Sequence, residues 1–262
     1  MKPSLIVCHI KHCLYPIWMR TLRKYRDFFG EIIIHFSEHN RQPYFDHYIH
    51  SQLNDLGITF LDQAPINWSD QDWRDVATKE MLKHSKSDWI VSIEQDWLVR
   101  DWDKFLNMCT ENMKLCDLFG WMNPSQKPYI HPACFFAKRD VIEKSGADFS
   151  PHSEITGSDH FAMITYKAME QGAFIKALPV GKVSFDTNAF HLGGVNQNFL
   201  DGLNSGVFHR PDIFYVYNWW SLKVEGDLPS EFVKQSIRIH EVLKKSMPDI
   251  DLDSHEWSIF FK

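Results

Sequence analysis

The chain reads as an α/β protein built on a mostly parallel sheet with helices on both faces. Short apolar, β-branched runs alternate with amphipathic helical stretches along most of its length. Several runs are apolar throughout rather than alternating, as expected for strands covered on both sides. Its 262 residues are enough for one large α/β domain with an appendage.

The first strand is expected over Ser4–His9 and a helix over Pro16–Phe29, stopped by Gly30. Glu31–Ser37 (EIIIHFS) gives a second strand, and a helix over Tyr44–Leu56 closes at Gly57 before a short strand at Ile58–Leu61. Asp72–Ser85 is a helix with Asp70 or Asp72 as its cap. Trp89–Glu94 is a buried central strand. Leu118–Met122 and Ala133–Ala137 are strand candidates on either side of an aromatic, turn-rich loop. Arg139–Ser145 is a helix ending at Gly146, and Asp148–Ser158 is a Pro-, Ser- and Gly-rich loop suited to forming a site. A helix over Asp159–Gln171, capped by Ser158 or Asp159, closes at Gly172. Phe174–Leu178 and Val183–Phe185 are further strands. Phe214–Trp220 is an aromatic patch, and Ser230–Lys245 is a last helix. The expected division is residues 1–205 as the main domain and 206–262 as a C-terminal helical and aromatic extension packed on it.

Composition narrows the function classes. Net charge is −6, which weighs against a general nucleic-acid binder. Aromatics make up 15% of the chain, with ten Trp, enough both to fill a core and to stack on rings. Five Cys include no C-x-x-C pair, so reduced, mostly buried thiols in a cytoplasmic protein are expected. No apolar run reaches the roughly 20 residues of a membrane span.

The chemistry concentrates in Asp88-Trp-Ile-Val-Ser-Ile-Glu-Gln-Asp96, an apolar run ending in two carboxylates one residue apart. On an extended backbone, positions i and i+2 project to one side, so Glu94 and Asp96 are expected to reach one cation or polar ligand. Open α/β sheets bind their ligands at the carboxyl ends of such strands. His9 and Lys11, at the end of the first strand, have the same topological placement. Trp97 and Trp121 are candidate stacking platforms for a sugar face, with core packing as the plainer role.

Five segments occur in a telling order: Asp72-Trp-Arg74 with Ala77, DWIVSIEQD (88–96), ACFFAKRDVIEKSG (133–146), TGSDHFAMITYKAMEQG (156–172) and AFHLGG (189–194). This ordered set, spanning residues 4–195, resembles the glycosyltransferases of GT-A fold, the family-2-like enzymes in particular, with their Rossmann-like sheet. The resemblance implies metal-dependent transfer of a sugar, a hexose or pentose, from a nucleoside-diphosphate sugar to an acceptor hydroxyl. Uridine diphosphate is the donor nucleotide it favours. It implies Asp96 and His191 as ligands of Mn²⁺ or Mg²⁺, with Glu94 at the ribose or a metal-bound water. Asp72 and Arg74 would meet the base and phosphates, Asp159 would be the catalytic base of an inverting reaction, and His160 would orient the acceptor. Two departures stand out: the usual Asp-x-Asp is Glu94-Gln95-Asp96, and Ser158 replaces an acid often found before the base, with Glu154 as a substitute. A glycan or small hydroxyl compound is the expected acceptor, with a modified DNA base less favoured by the negative charge. A nucleotidyltransferase, or a non-catalytic sugar- or partner-binding module, are the alternatives. The former would want a Gly-rich loop after the first strand, where the chain reads His9-Ile-Lys-His-Cys13.

Overall fold

The computed structural model describes residues 2–9, 22–36, 53–62, 73–94, 97–99, 101–123, 127–146, 149, 161–178 and 189–191. Nine strands and four α-helices are assigned there: β1 (Ser4–His9), β2 (Glu31–Phe36), β3 (Thr59–Asp62), α1 (Trp73–His84), β4 (Trp89–Ile93), β5 (Trp97–Val99), α2 (Trp102–Leu115), β6 (Leu118–Asn123), β7 (Tyr129–Lys138), α3 (Arg139–Ser145), α4 (Ala162–Glu170), β8 (Ile175–Leu178) and β9 (Ala189–His191). Seven strands form one sheet in the order β3-β2-β1-β4-β7-β6-β8. All neighbouring pairs are parallel except the two made by β7, which runs against both β4 and β6. The expected mostly parallel sheet is the one observed.

The period-2 geometry of a strand sorts the apolar side chains into two cores. Leu5, Val7, Ile32, Ile34, Trp89, Val91 and Ile93 pack on one face with Leu22, Phe29, Leu53 and the inner side of α2. Ile6, Ile33 and Ile90 point the other way, into a core shared with Met81 of α1, Val141 and Ile142 of α3, and Ile164 and Ala168 of α4. Because both faces are covered, the central strands read as unbroken apolar runs.

Local signals account for several element ends. Gly146 and Gly172 close α3 and α4 with φ of 84° and 76°, a backbone region costly for other residues. The Asp101 carboxylate accepts the Lys104 N–H at 2.9 Å and caps α2. That helix was not anticipated, although Asp101 followed by Trp102, Phe105, Leu106, Cys109 and Met113 carries its spacing. The expected first helix is helical at 22–24 and then tightens to a 3-10 turn at Arg26–Phe28. The expected strand over Val183–Phe185, the helix over Ser230–Lys245 and the aromatic patch at 214–220 lie outside the described residues.

Asp117 ties three strands together. Its carboxylate accepts Lys138 Nζ at 2.8 Å and the Phe174 N–H at 2.8 Å. The Lys138 bond, with the Phe174 amide second, holds its carboxyl below the usual range. A lowered native pKa means the stabilisation is present above the unfolded value near 3.9 and is lost as pH falls through the native one. Asp117→Ala is therefore expected to cost about 1–2 kcal/mol at neutral pH. The low end is favoured because the side chain is 31% exposed. Melting curves of the variant and the parent should converge as pH falls below the unfolded carboxyl value and through the lowered native one.

Candidate functional site

The sheet order places a topological switch beside β1. From β1 the chain proceeds outward to β2 and β3, whereas β4 lies on the opposite side of β1. A crevice opens at the carboxyl ends of strands where connections diverge in this way. A cleft occupies that place. Its wall includes Cys8 of β1, Thr78 of α1, Ser92 and Glu94 at the end of β4, Pro132 of β7 and Phe161.

The strand that leads into the acid pair ends just before it. β4 stops at Ile93, and Glu94 makes one last ladder bond from its N–H to the Ala133 carbonyl at 3.1 Å. The Trp97 N–H then donates to the Glu94 carbonyl at 3.1 Å, the i to i+3 bond of a β-turn. Glu94 thus lies at the mouth of the cleft. Glu94 is half-buried there. Asp96 lies outside the described residues.

After that turn, β5 pairs antiparallel with β9 in the register Trp97↔His191, Leu98↔Phe190 and Val99↔Ala189. Position 191 is thereby brought level with the residue that follows Asp96. Neither short strand is legible alone, since each consists of three residues held by the other. Among the described residues no group of three His, Cys, Asp or Glu is assembled for a metal.

α1 connects the sheet's carboxyl edge back to the start of β4, so its first turn lies on the cleft side. Arg74 is the second residue of that helix, Asp72 directly precedes it, and Thr78 follows Arg74 by one helical turn. Thr78 was not singled out from sequence, although its i+4 spacing from Arg74 on an amphipathic helix was available. His9 is the last residue of β1. Lys11, Asp72, Asp159 and His160 lie outside the described residues.

α4 begins at Ala162, three residues later than expected, and its N-cap is Phe161 rather than Ser158 or Asp159. Phe161 has φ 70°, the only positive φ of a non-glycine among the described residues. Such a conformation costs a bulky side chain on the order of 1–2 kcal/mol. Packing offsets this. The Phe161 ring lies edge-on to Phe135 at 4.9 Å and to Phe149 at 4.8 Å, and the Phe149 N–H donates to Asp75 of α1 at 3.0 Å. Both ends of the segment carrying Asp159 are therefore anchored beside the cleft.

The two tryptophans separate. Trp97 is 2% exposed, its ring 6.3 Å from Phe105 and 6.4 Å from Trp121. With its faces taken by the core it offers no platform to a sugar, and core packing is its observed role. Trp121 is half-buried and lies 4.5 Å from the His131 ring. The thiols of Cys109, Cys116 and Cys134 are buried and free, and burial pushes each of them up in pKa. No described helix is long and apolar enough to cross a membrane.

No family model and no curated protein matches the sequence. Solved structures do match. The mannosyltransferase PcManGT from Pyrobaculum calidifontis, solved with GDP-Man and Mn²⁺, superposes with a TM-score of 0.55 at 14% identity, over 95% of this chain and 73% of that one. The fold is that of the GT-A glycosyltransferases. Two structures of S. aureus TarS 1-349 are also similar, each at 11% identity over 95% of this chain. The first gives a TM-score of 0.46 over 74% of its chain; the second, in complex with UDP, gives 0.45 over 72%. On the GT-A fold, the cleft between β1 and β4 and the turn after β4 occupy the carboxyl edge of the sheet, where the ordered segments had pointed.

Proposed function

We propose that this protein is a metal-dependent glycosyltransferase that moves a sugar from a nucleoside diphosphate to an acceptor hydroxyl. One observation carries the reading: the cleft at the β1/β4 switch is bounded by the Glu94–Trp97 turn, onto which the β5–β9 ladder brings His191. An acidic and an imidazole ligand from these two segments make an oxygen–nitrogen donor set, better suited to Mn²⁺ than to Mg²⁺. Asp96 and His191 would hold the metal, which when bound supplies positive charge against the diphosphate leaving group.

The chain's own residues then divide the remaining work. Arg74, with Asp72, at the first turn of α1 meets the donor's phosphates and base, supported by the helix N-terminus. His9 and Lys11 bound the nucleotide from the end of β1. Glu94, longer than the usual aspartate by a methylene, accepts from the ribose hydroxyls. Asp159 takes the acceptor's proton as the hydroxyl attacks, giving single displacement with inversion, and His160 orients that acceptor. Trp121 is the remaining aromatic candidate on the acceptor side. Residues 1–205 form the transferase unit in this reading and 206–262 an extension to it. Hexosyl transfer with a uridine or guanosine diphosphate donor is the starting expectation. UDP comes from the sequence resemblance, and PcManGT was solved with GDP-Man.

A thermal-shift screen of UDP, GDP, dTDP and CMP, each with and without Mn²⁺, tests the donor site, because a ligand specific to the native state raises the melting temperature. A manganese-dependent rise with one nucleotide supports the reading. A flat response to all four favours a non-catalytic binding module. For the chemistry, Asp159→Asn is expected to leave nucleotide affinity within twofold while lowering transfer by about 10²–10⁴. Donor titration and product release on one preparation separate the two effects.

A further inference from the structure

The cleft wall carries two hydroxyls to which the assignments above give no role. Ser92 interrupts the apolar run of β4, Trp-Ile-Val-Ser-Ile, and Thr78 follows Arg74 by one turn of α1. Both line the cleft. Strand alternation turns Ile90 and Ser92 towards the core that holds Met81, so Ser92 faces the helix bearing Thr78. Thr78 is 1% exposed, and among the described groups its Oγ1 meets only the Cys8 thiol, 4.0 Å away. Ser92 is half-buried, and no described group pairs with its hydroxyl. A thiol is a weak partner, and hydroxyls left unpaired beside apolar walls are costly unless a ligand pairs with them.

The rest of the wall limits what these hydroxyls can meet. Ile6 and Met81 are apolar, Pro132 and Phe161 close the cleft on the β7 side, and Glu94 brings a negative charge to its mouth. Phe161 follows the proposed base Asp159 by two residues, and Glu94 precedes the proposed metal ligand Asp96 by two. A group passing from a metal-bound diphosphate to an acceptor held at the base lies between these two ends. We infer that Ser92 and Thr78 recognise the donor's transferred sugar and that this sugar is uncharged, an inference that rests on the donor-site reading. Its hydroxyls pair with those of Ser92 and Thr78, and its C–H face lies against Pro132 and Phe161. A carboxylate on the ring would be carried towards Glu94, where like charges repel more strongly than in open water.

The test titrates the full chain with Mn²⁺ and each of UDP, UDP-glucose, UDP-glucuronic acid, GDP, GDP-mannose and GDP-mannuronic acid in a calorimeter. Each neutral sugar nucleotide differs from its uronate only at C6, so each pair isolates the charge. In the series whose diphosphate binds, the neutral member is expected to bind at least about tenfold tighter than its uronate. Ser92→Ala and Thr78→Val, which remove a hydroxyl and little else, should each lower the ratio of sugar-nucleotide to bare-diphosphate affinity about tenfold. Hydroxyls that only fill space would leave that ratio where it was. Equal or tighter binding of the uronate overturns the inference, as does an unchanged ratio in either folded variant. If a variant does not fold, the neutral-to-uronate comparison in the parent protein decides alone. Diphosphate binding with no preference between the sugars strikes this inference and leaves the donor site standing. Failure of the parent to bind either diphosphate removes both.

Discussion

Asp96→Ala is expected to abolish manganese-dependent nucleotide binding while leaving the fold intact. The acid follows a strand whose backbone ladder ends at Glu94, and the turn from Glu94 to Trp97 is closed by main-chain groups. The apo melting temperature is expected to stay within a few degrees of the parent's, corresponding to about 1 kcal/mol or less. Affinity for UDP or GDP with Mn²⁺ should fall at least ~100-fold, about 2.7 kcal/mol. His191→Ala should give a smaller loss, about tenfold, with a matching weakening of Mn²⁺ itself. Calorimetric titration of each variant with metal and with nucleotide separates the two ligands. Unchanged nucleotide affinity in a folded Asp96→Ala protein would remove the central assignment.

Gly120→Ala should produce the largest loss of stability. A Cβ at this position of β6 would collide with the Cys134 carbonyl oxygen of β7 and stand 2.7 Å from Ile130 Cγ2. The carbonyl belongs to a fully buried strand and has no flexible side chain through which to move aside. The β6–β7 register also shifts between Gly120 and Met122, so the glycine marks where the two backbones close in. The expected cost is 3 kcal/mol or more, a fall of roughly 6–12 °C for a chain of this size. Because β7 also supplies Pro132 to the cleft, nucleotide affinity should decline with it. A melting temperature within 2 °C of the parent would mean that β6 and β7 lie further apart than described.

The central strands were legible because they are buried on two sides. β1 was expected at its observed bounds, while β2 and β4 each end one residue earlier than expected. Helix α3, bracketed by Lys138 and the left-handed Gly146, was also read to the residue. Failures have the opposite cause. The first residues of β7, Tyr129 to Pro132, contain a histidine and a proline that imitate a loop, yet long-range pairing holds them in the sheet. The start of α4 was misplaced because Ser158 and Asp159 are good local caps, whereas the Phe135 and Phe149 contacts hold Phe161 in the turn instead. The candidate residues were legible as an ordered list. Which of them meet is set by pairings such as Trp97 with His191, and no local pattern encodes those.

That last pairing has a kinetic side. The entropy of closing a loop grows with its length, by about 0.6 kcal/mol for each doubling, and must be met before the contact contributes anything. A ladder of three residue pairs joining positions 97–99 to 189–191 is a poor nucleus, since it is short and its partners are remote. The β1–β2 and β6–β7 pairs, whose partners are closer along the chain, can form first. On a ribosome the same ordering is enforced by direction: the sheet as far as β8 can assemble while position 191 is still unsynthesised. Among the described strands the ladder at the proposed metal site is thus the last to close, and Mn²⁺ binding would report the arrival of β9 rather than the formation of the core.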